Sequence, residues 1–181
     1  MRLLLAYTLS VLLLGCTAPQ TAPLSDAPPQ WQYLGRTSYE ERAPGYGVSH
    51  KYASSAGNID VYVYDLQRGE WQAGVSDPAF AQEFLNTIEE VKHYARKGAY
   101  SELQIGPVQD RVIAGHNFRS VSYRFLRHGK RMESLTFLTA RGGKLLKYRM
   151  SFFTPATFDI HAYADKFIEE TSRELENSNR T

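Results

Sequence analysis

Between residues 117 and 153 the chain carries three alternating apolar runs, broken by His128-Gly129-Lys130 and by Gly142-Gly143. Alternation with period two suits strands that bury one face, and a two-glycine break suits a tight hairpin, so this stretch constrains the fold to an antiparallel meander. A two-residue turn at Gly142-Gly143 sets Phe137 opposite Tyr148, Leu135 opposite Met150 and Thr136 opposite Arg149, which sorts the apolar side chains onto one face without conflict. Val121, Tyr123 and Phe125 are odd-numbered like Leu135 and Phe137. Placing all five on the same face therefore predicts an odd loop between the first two runs, three residues near 128–130 or 129–131.

Upstream, residues 47–53 and 59–66 read as two strands joined through the turn-rich Ser54-Ser55-Ala56-Gly57-Asn58. In the second, Ile59, Val61 and Val63 share one face and Tyr62, Tyr64 and Leu66 the other, the pattern of a strand covered on both sides. Asp77-Pro78 predicts a helix start, with Asp77 accepting from free backbone N–H groups and Pro78 losing no needed donor. Phe80, Phe84, Ile88, Val91 and Ala95 then draw one apolar stripe, and Gly98 stops a helix of about residues 78–97. One or two short strands are expected within 102–114. Asp159 can cap a closing helix of about 160–175, with Ile160, Tyr163 or Ala164, Phe167, Ile168 and Leu175 inward. The sum is an α+β domain over residues 31–181, a mostly antiparallel sheet with two helices packed on it.

That order of elements resembles the Mog1/PsbP-like fold over residues 31–175. The resemblance rests on Gly45-Tyr46-Gly47-Val48 entering a strand, Asp77-Pro78-Ala79-Phe80 opening a helix, and Gly143-Lys144-Leu145-Leu146-Lys147-Tyr148 leading into the last strand. It implies a small accessory or binding domain, usually without catalytic residues. The helix that often precedes the first strand in that family has no counterpart here.

The N-terminus has Arg2, an apolar run over residues 3–14 and Gly15 before Cys16, the parts of a secretory signal. The run is shorter than the roughly 20 residues a transmembrane helix needs. Leu13-Leu14-Gly15-Cys16 resembles the lipobox of bacterial lipoproteins. The resemblance implies cleavage after residue 15, acylation of Cys16 and, with Thr17 rather than Asp next, sorting to the outer membrane facing the periplasm of a Gram-negative cell. Several acyl chains would anchor the protein stably. Residues 16–30 hold Pro19, Pro23, Pro28 and Pro29 among Ala, Thr and Ser, the composition of a disordered tether reaching on the order of 40 Å. Cys16 is the single cysteine, so lipidation leaves the domain no disulfide, thiolate nucleophile or thiolate metal site.

Chemistry-bearing patterns are sparse. The five histidines, His50, His93, His116, His128 and His161, include no pair spaced for metal on one helix face; a site assembled in space from His50, His116 and a carboxylate is the arrangement left open. No G-x-S-x-G elbow and no phosphate-binding glycine loop occurs. No metal and no cofactor is expected. If the meander buries the face just described, the opposite face carries Ser120, Ser122, Arg124, Ser134, Thr136, Lys147 and Arg149, joined by Tyr62 and Tyr64. Arg124, Lys147, Arg149, Tyr62 and Tyr64 are thus the candidate binding residues for an acidic partner, a glycan or a lipid headgroup; the alternative is a solvated face partly covered by a helix or by residues 31–44. A formal net charge of +2 with no basic stripe argues against nucleic acid. The expected role is non-enzymatic binding of an envelope protein in envelope assembly or maintenance. A carrier of lipid or small ligand in a pocket between the sheet and the Asp77 helix is the alternative, and a hydrolase with an unrecognised site the third.

Overall fold

The computed structural model describes residues 29–178. The signal segment, Cys16 and the proline-rich stretch up to residue 28 lie outside the described residues. Eight strands and two helices follow in the order β1 (Gln32–Ser38), β2 (Val48–Ser54), β3 (Gly57–Tyr64), α1 (Phe80–Arg96), β4 (Ser101–Ile105), β5 (Gln109–Ile113), β6 (His116–Arg127), β7 (Lys130–Arg141), β8 (Lys144–Phe153) and α2 (Ile160–Ser178). All strands join one antiparallel sheet in the order β1-β2-β3-β8-β7-β6-β4, with β5 also on β6. The α+β class and both helices agree with the sequence. β1 is an addition, an edge strand over residues for which no element was expected.

The Gly142-Gly143 hairpin has the expected register, with Phe137 opposite Tyr148 and Leu135 opposite Met150. The hairpin before it does not. Arg127 pairs with Lys130 across a two-residue His128-Gly129 turn, both central residues having positive φ (50° and 74°). That geometry belongs to a primed turn, whose right-handed twist matches the strands. An even loop reverses the predicted facing. Val121, Tyr123 and Phe125 stand opposite Thr136, Ser134 and Met132, and on the other face Ser122 and Ser120 stand opposite Leu135 and Phe137. Parity fixes the facing only where one face is buried, and this sheet buries both. Ile59, Val61, Leu135, Phe137, Tyr148, Met150 and Phe152 pack with Ile160, Ala164, Phe167 and Ile168 of α2. Val121, Tyr123, Phe125, Leu138 and Leu145 pack with Phe80, Phe84, Ile88 and Val91 of α1.

Helix α1 starts two residues later than expected. Phe80 N–H bonds the Asp77 carbonyl, and the Asp77 carboxylate accepts from Ala79 N–H (2.9 Å) and the Arg68 guanidinium (2.7 Å), so it builds the turn leading into the helix. Gly98, at φ 79°, ends the helix as expected, its N–H bonding the Ala95 carbonyl. Asp159 caps α2 through His161 N–H (2.9 Å) and Ala162 N–H (3.1 Å). Where the described chain begins, Trp31 packs by ring contact with Phe152, Tyr163 and Phe167, fastening the start of β1 to the α2 face.

Candidate binding groove

Helix α1 packs against β6, β7 and β8, and the side chains of Tyr62 and Tyr64 on β3 meet its flank. A groove of about 670 Å³ opens there. Its floor is Tyr62, Tyr64 and Lys147; α1 contributes Glu83, Asn86, Thr87, Glu90 and Tyr94, and the segment between β1 and β2 contributes Tyr39 and Tyr46. The volume lies within the range of small-ligand clefts.

Local sequence explains how each wall is held. Residues 83, 87, 90 and 94 are spaced by four, three and four, so they form a second stripe beside the apolar one on α1. On the facing wall the Glu40 carboxylate accepts both Gly45 N–H (2.9 Å) and Gly47 N–H (2.6 Å), and Tyr39 N–H bonds the Gly47 carbonyl at 2.9 Å. Gly47 has φ 60°, and a Cβ there would stand 1.9 Å from the Val63 carbonyl oxygen. Glycine is therefore required for the chain to press this closely on β3. The result is a pinned loop that presents Tyr46, 60% exposed, at the rim. Tyr39 is fixed from below by a 2.9 Å hydrogen bond between its hydroxyl and that of Ser49.

The ammonium in the groove is already engaged. Tyr62 and Lys147 are cross-strand partners, and the Lys147 ammonium lies 4.8 Å from the Tyr62 ring centroid, 5.7 Å from that of Tyr64 and 3.4 Å from the Glu90 carboxylate. The Tyr64 hydroxyl donates to Glu83 at 2.8 Å. Burial, and then the Asp60 carboxylate, push the Tyr62 phenol above its ordinary pKa; burial and Glu83 do the same for Tyr64. Both phenols are neutral at pH 7. Phenols, two carboxylates, an amide and one engaged ammonium suit a site that holds a ligand by ring contact and hydrogen bonding.

Of the five residues chosen from sequence, four share this face and one does not. Tyr62, Tyr64, Lys147 and Arg149 lie on the α1 side of β3 and β8. Arg149 stands opposite Asp60 and donates to the Tyr100 hydroxyl at 2.8 Å. Burial raises the Asp60 pKa, and Lys51 and Arg149 pull it back down. Arg124 is on the α2 side, because the His128-Gly129 turn reverses the facing of β6; there it pairs with Glu133 (3.5 Å), which also takes His161 at 3.3 Å. Ser120 and Ser122 go with Arg124, while Ser134 and Thr136 are buried under α1. The single cationic sheet face is therefore corrected to two helix-covered faces on which Lys147, Arg149 and Arg124 all have polar partners. Tyr39, Tyr46, Glu83, Glu90 and Tyr94 were missed, although the 83-87-90-94 stripe and the glycines flanking Tyr46 were readable signals.

Two smaller clefts of about 210 Å³ each lie one at Arg124 and the other at His161. Among the described residues no group of three or more His, Cys, Asp or Glu is placed to hold a metal ion, and no helix is long and apolar enough to cross a membrane.

No protein-family model and no curated protein matches the sequence. Among solved structures, the chain is similar to the cyanobacterial PsbP protein CyanoP of Synechocystis sp. PCC 6803, at 17% identity and TM-score 0.44 over 67% of this chain and 69% of that one. It is also similar to PA94 of Pseudomonas aeruginosa, a protein of unknown function, at 14% identity and TM-score 0.33 over 88% and 84% of the two chains.

Proposed function

We propose that this chain is a lipid-anchored outer-membrane protein whose periplasmic domain is a non-enzymatic binding module in envelope assembly or maintenance, with the tyrosine groove as its binding site. The carrying observation is the groove itself: five tyrosines gathered from β1–β2, β3 and α1 around an ammonium that is already engaged. The order of elements, two strands, a helix entered through Asp77-Pro78, a long meander and a closing helix, supports a Mog1/PsbP-like fold, and the signal read at residues 1–16 supports the address. A lipid carrier fits less well, because phenol hydroxyls, Glu83, Glu90 and Lys147 line the groove and an acyl chain would leave them unpaired.

Two experiments test the parts separately. Cys16→Ser should yield unacylated protein that no longer fractionates with the outer membrane; undiminished acylation and membrane association would remove the anchor. Chemical crosslinking in intact cells should give an adduct with the wild-type chain that Tyr46→Ala/Tyr94→Ala loses at unchanged melting temperature. The same adduct from both chains would remove the groove.

A further inference from the structure

We infer that the groove receives a basic, extended segment of a partner protein, and that Lys147 is a built-in competitor for it. The inference rests on the groove being the binding site. Lys147 is itself a cation seated in the groove, held by two ring faces and a carboxylate, with its side chain only 15% exposed. The walls are thus already shown to bind an ammonium, through the combination of ring quadrupole and nearby carboxylate that favours Lys or Arg. What an incoming ligand meets is the complement of that cation. Glu90 stands at the rim with its side chain 46% exposed, Glu83 lines the same wall, and the rings of Tyr46 (60% exposed) and Tyr94 (43%) are open to solvent. Two carboxylates face one enclosed ammonium, so the accessible lining is acidic and aromatic. An acidic ligand would meet Glu83 and Glu90 before reaching Lys147. A guanidinium can stack on an exposed tyrosine and pair with Glu90 at once, which an ammonium does less well. Aromatic-lined grooves of this kind also favour extended, proline-containing backbone, whose ordering cost is already low.

The test is fluorescence anisotropy with the purified full chain and a labelled nonapeptide of alternating arginine and proline, beside peptides with glutamine or glutamate in place of arginine. The arginine peptide should bind at least tenfold more tightly than the other two and weaken with added salt. Glu90→Gln, and separately Tyr46→Ala/Tyr94→Ala, should each weaken it roughly fivefold. Lys147→Met should tighten it roughly threefold, because the tethered competitor is gone. Loss of affinity in Lys147→Met, or equal binding of all three peptides, would overturn the inference. So would competition by free spermidine at the peptide's own concentration, which would point to a small polyamine. If the glutamate or glutamine peptide binds best and Tyr46→Ala/Tyr94→Ala abolishes it, the groove stands as the site and only the basic class falls. If no peptide responds to any groove variant, both fall.

Discussion

Lys147 on β8 and Tyr62 on β3 are cross-strand partners, and the ammonium of one rests 4.8 Å from the ring centroid of the other. This pairing decides the character of the α1 side of the sheet. With Glu90 at 3.4 Å the lysine has no outward charge to offer, and Arg149, two residues on, is likewise turned to a partner, the Tyr100 hydroxyl. What remains accessible is tyrosine and carboxylate.

The two arginines of the expected cationic face should therefore behave differently. Arg149→Ala removes the donor to Tyr100 and one of the cations that, with Lys51, offset the Asp60 charge, at a cost of about 2 kcal/mol. Arg124 has a side chain 72% exposed, and Arg124→Ala should shift stability by no more than about 0.5 kcal/mol. Urea titrations of the two variants check this; equal losses would mean that Arg149 is as solvated as Arg124.

Two glycines with positive φ give a sharp contrast. At Gly47 a Cβ would lie 1.9 Å from the Val63 carbonyl oxygen, so Gly47→Ala should lose roughly 3 kcal/mol and loosen the Tyr46 loop. At Gly142, φ 57°, nothing lies within 4 Å, and Gly142→Asn should cost less than about 1 kcal/mol because Asn tolerates that backbone region. Thermal unfolding of both variants, with amide exchange at Gly45 and Gly47 in the first, measures the difference.

Acid should destabilise the domain, in part through Asp77. Burial pushes its pKa up, but the Ala79 N–H and the Arg68 guanidinium outweigh burial and hold the carboxyl below its ordinary value. A carboxylate with a depressed folded pKa contributes stability that is complete above the ordinary value and is lost as pH falls through the folded one. Asp110, held low by Arg119, and Asp159, held low by the Ala162 N–H, have the same sign. Asp60 has the opposite sign, because its pKa is raised and acidification relieves the cost of its buried charge. The urea midpoint should drop between about pH 5 and about pH 3, and Asp77→Asn should flatten that drop. An unchanged slope would mean that Asp77 has an ordinary pKa in the folded chain.

The elements were legible wherever one residue type carried the instruction. Gly142-Gly143 gave its register, Asp159 its cap, and the 80-84-88-91 stripe its buried face. The β6–β7 turn was not legible, because His128 signals a primed turn less plainly than Asn or Gly would and both parities of β7 are buried, Met132 and Leu138 on one side, Leu135 and Phe137 on the other. Once that turn is even, Arg124 must leave the face of Lys147. β1 was hidden for a different reason: it is an edge strand with Tyr33 and Leu34 exposed, so burial imposes no alternation on it. The groove was half legible, its tyrosines on β3 being visible and its opposite wall depending on a loop pinned by Glu40, a contact that spans sequence without any periodic signal.

The most direct test of the groove is photo-crosslinking in intact cells, with a photoreactive residue placed singly at Tyr46, at Asn86 on the groove wall, and at Arg124 on the opposite side of the sheet. A groove that binds a partner predicts one common protein adduct from Tyr46 and Asn86, absent from Arg124. Adducts from Arg124 with none from Tyr46 would contradict it and move the binding surface to the α2 side.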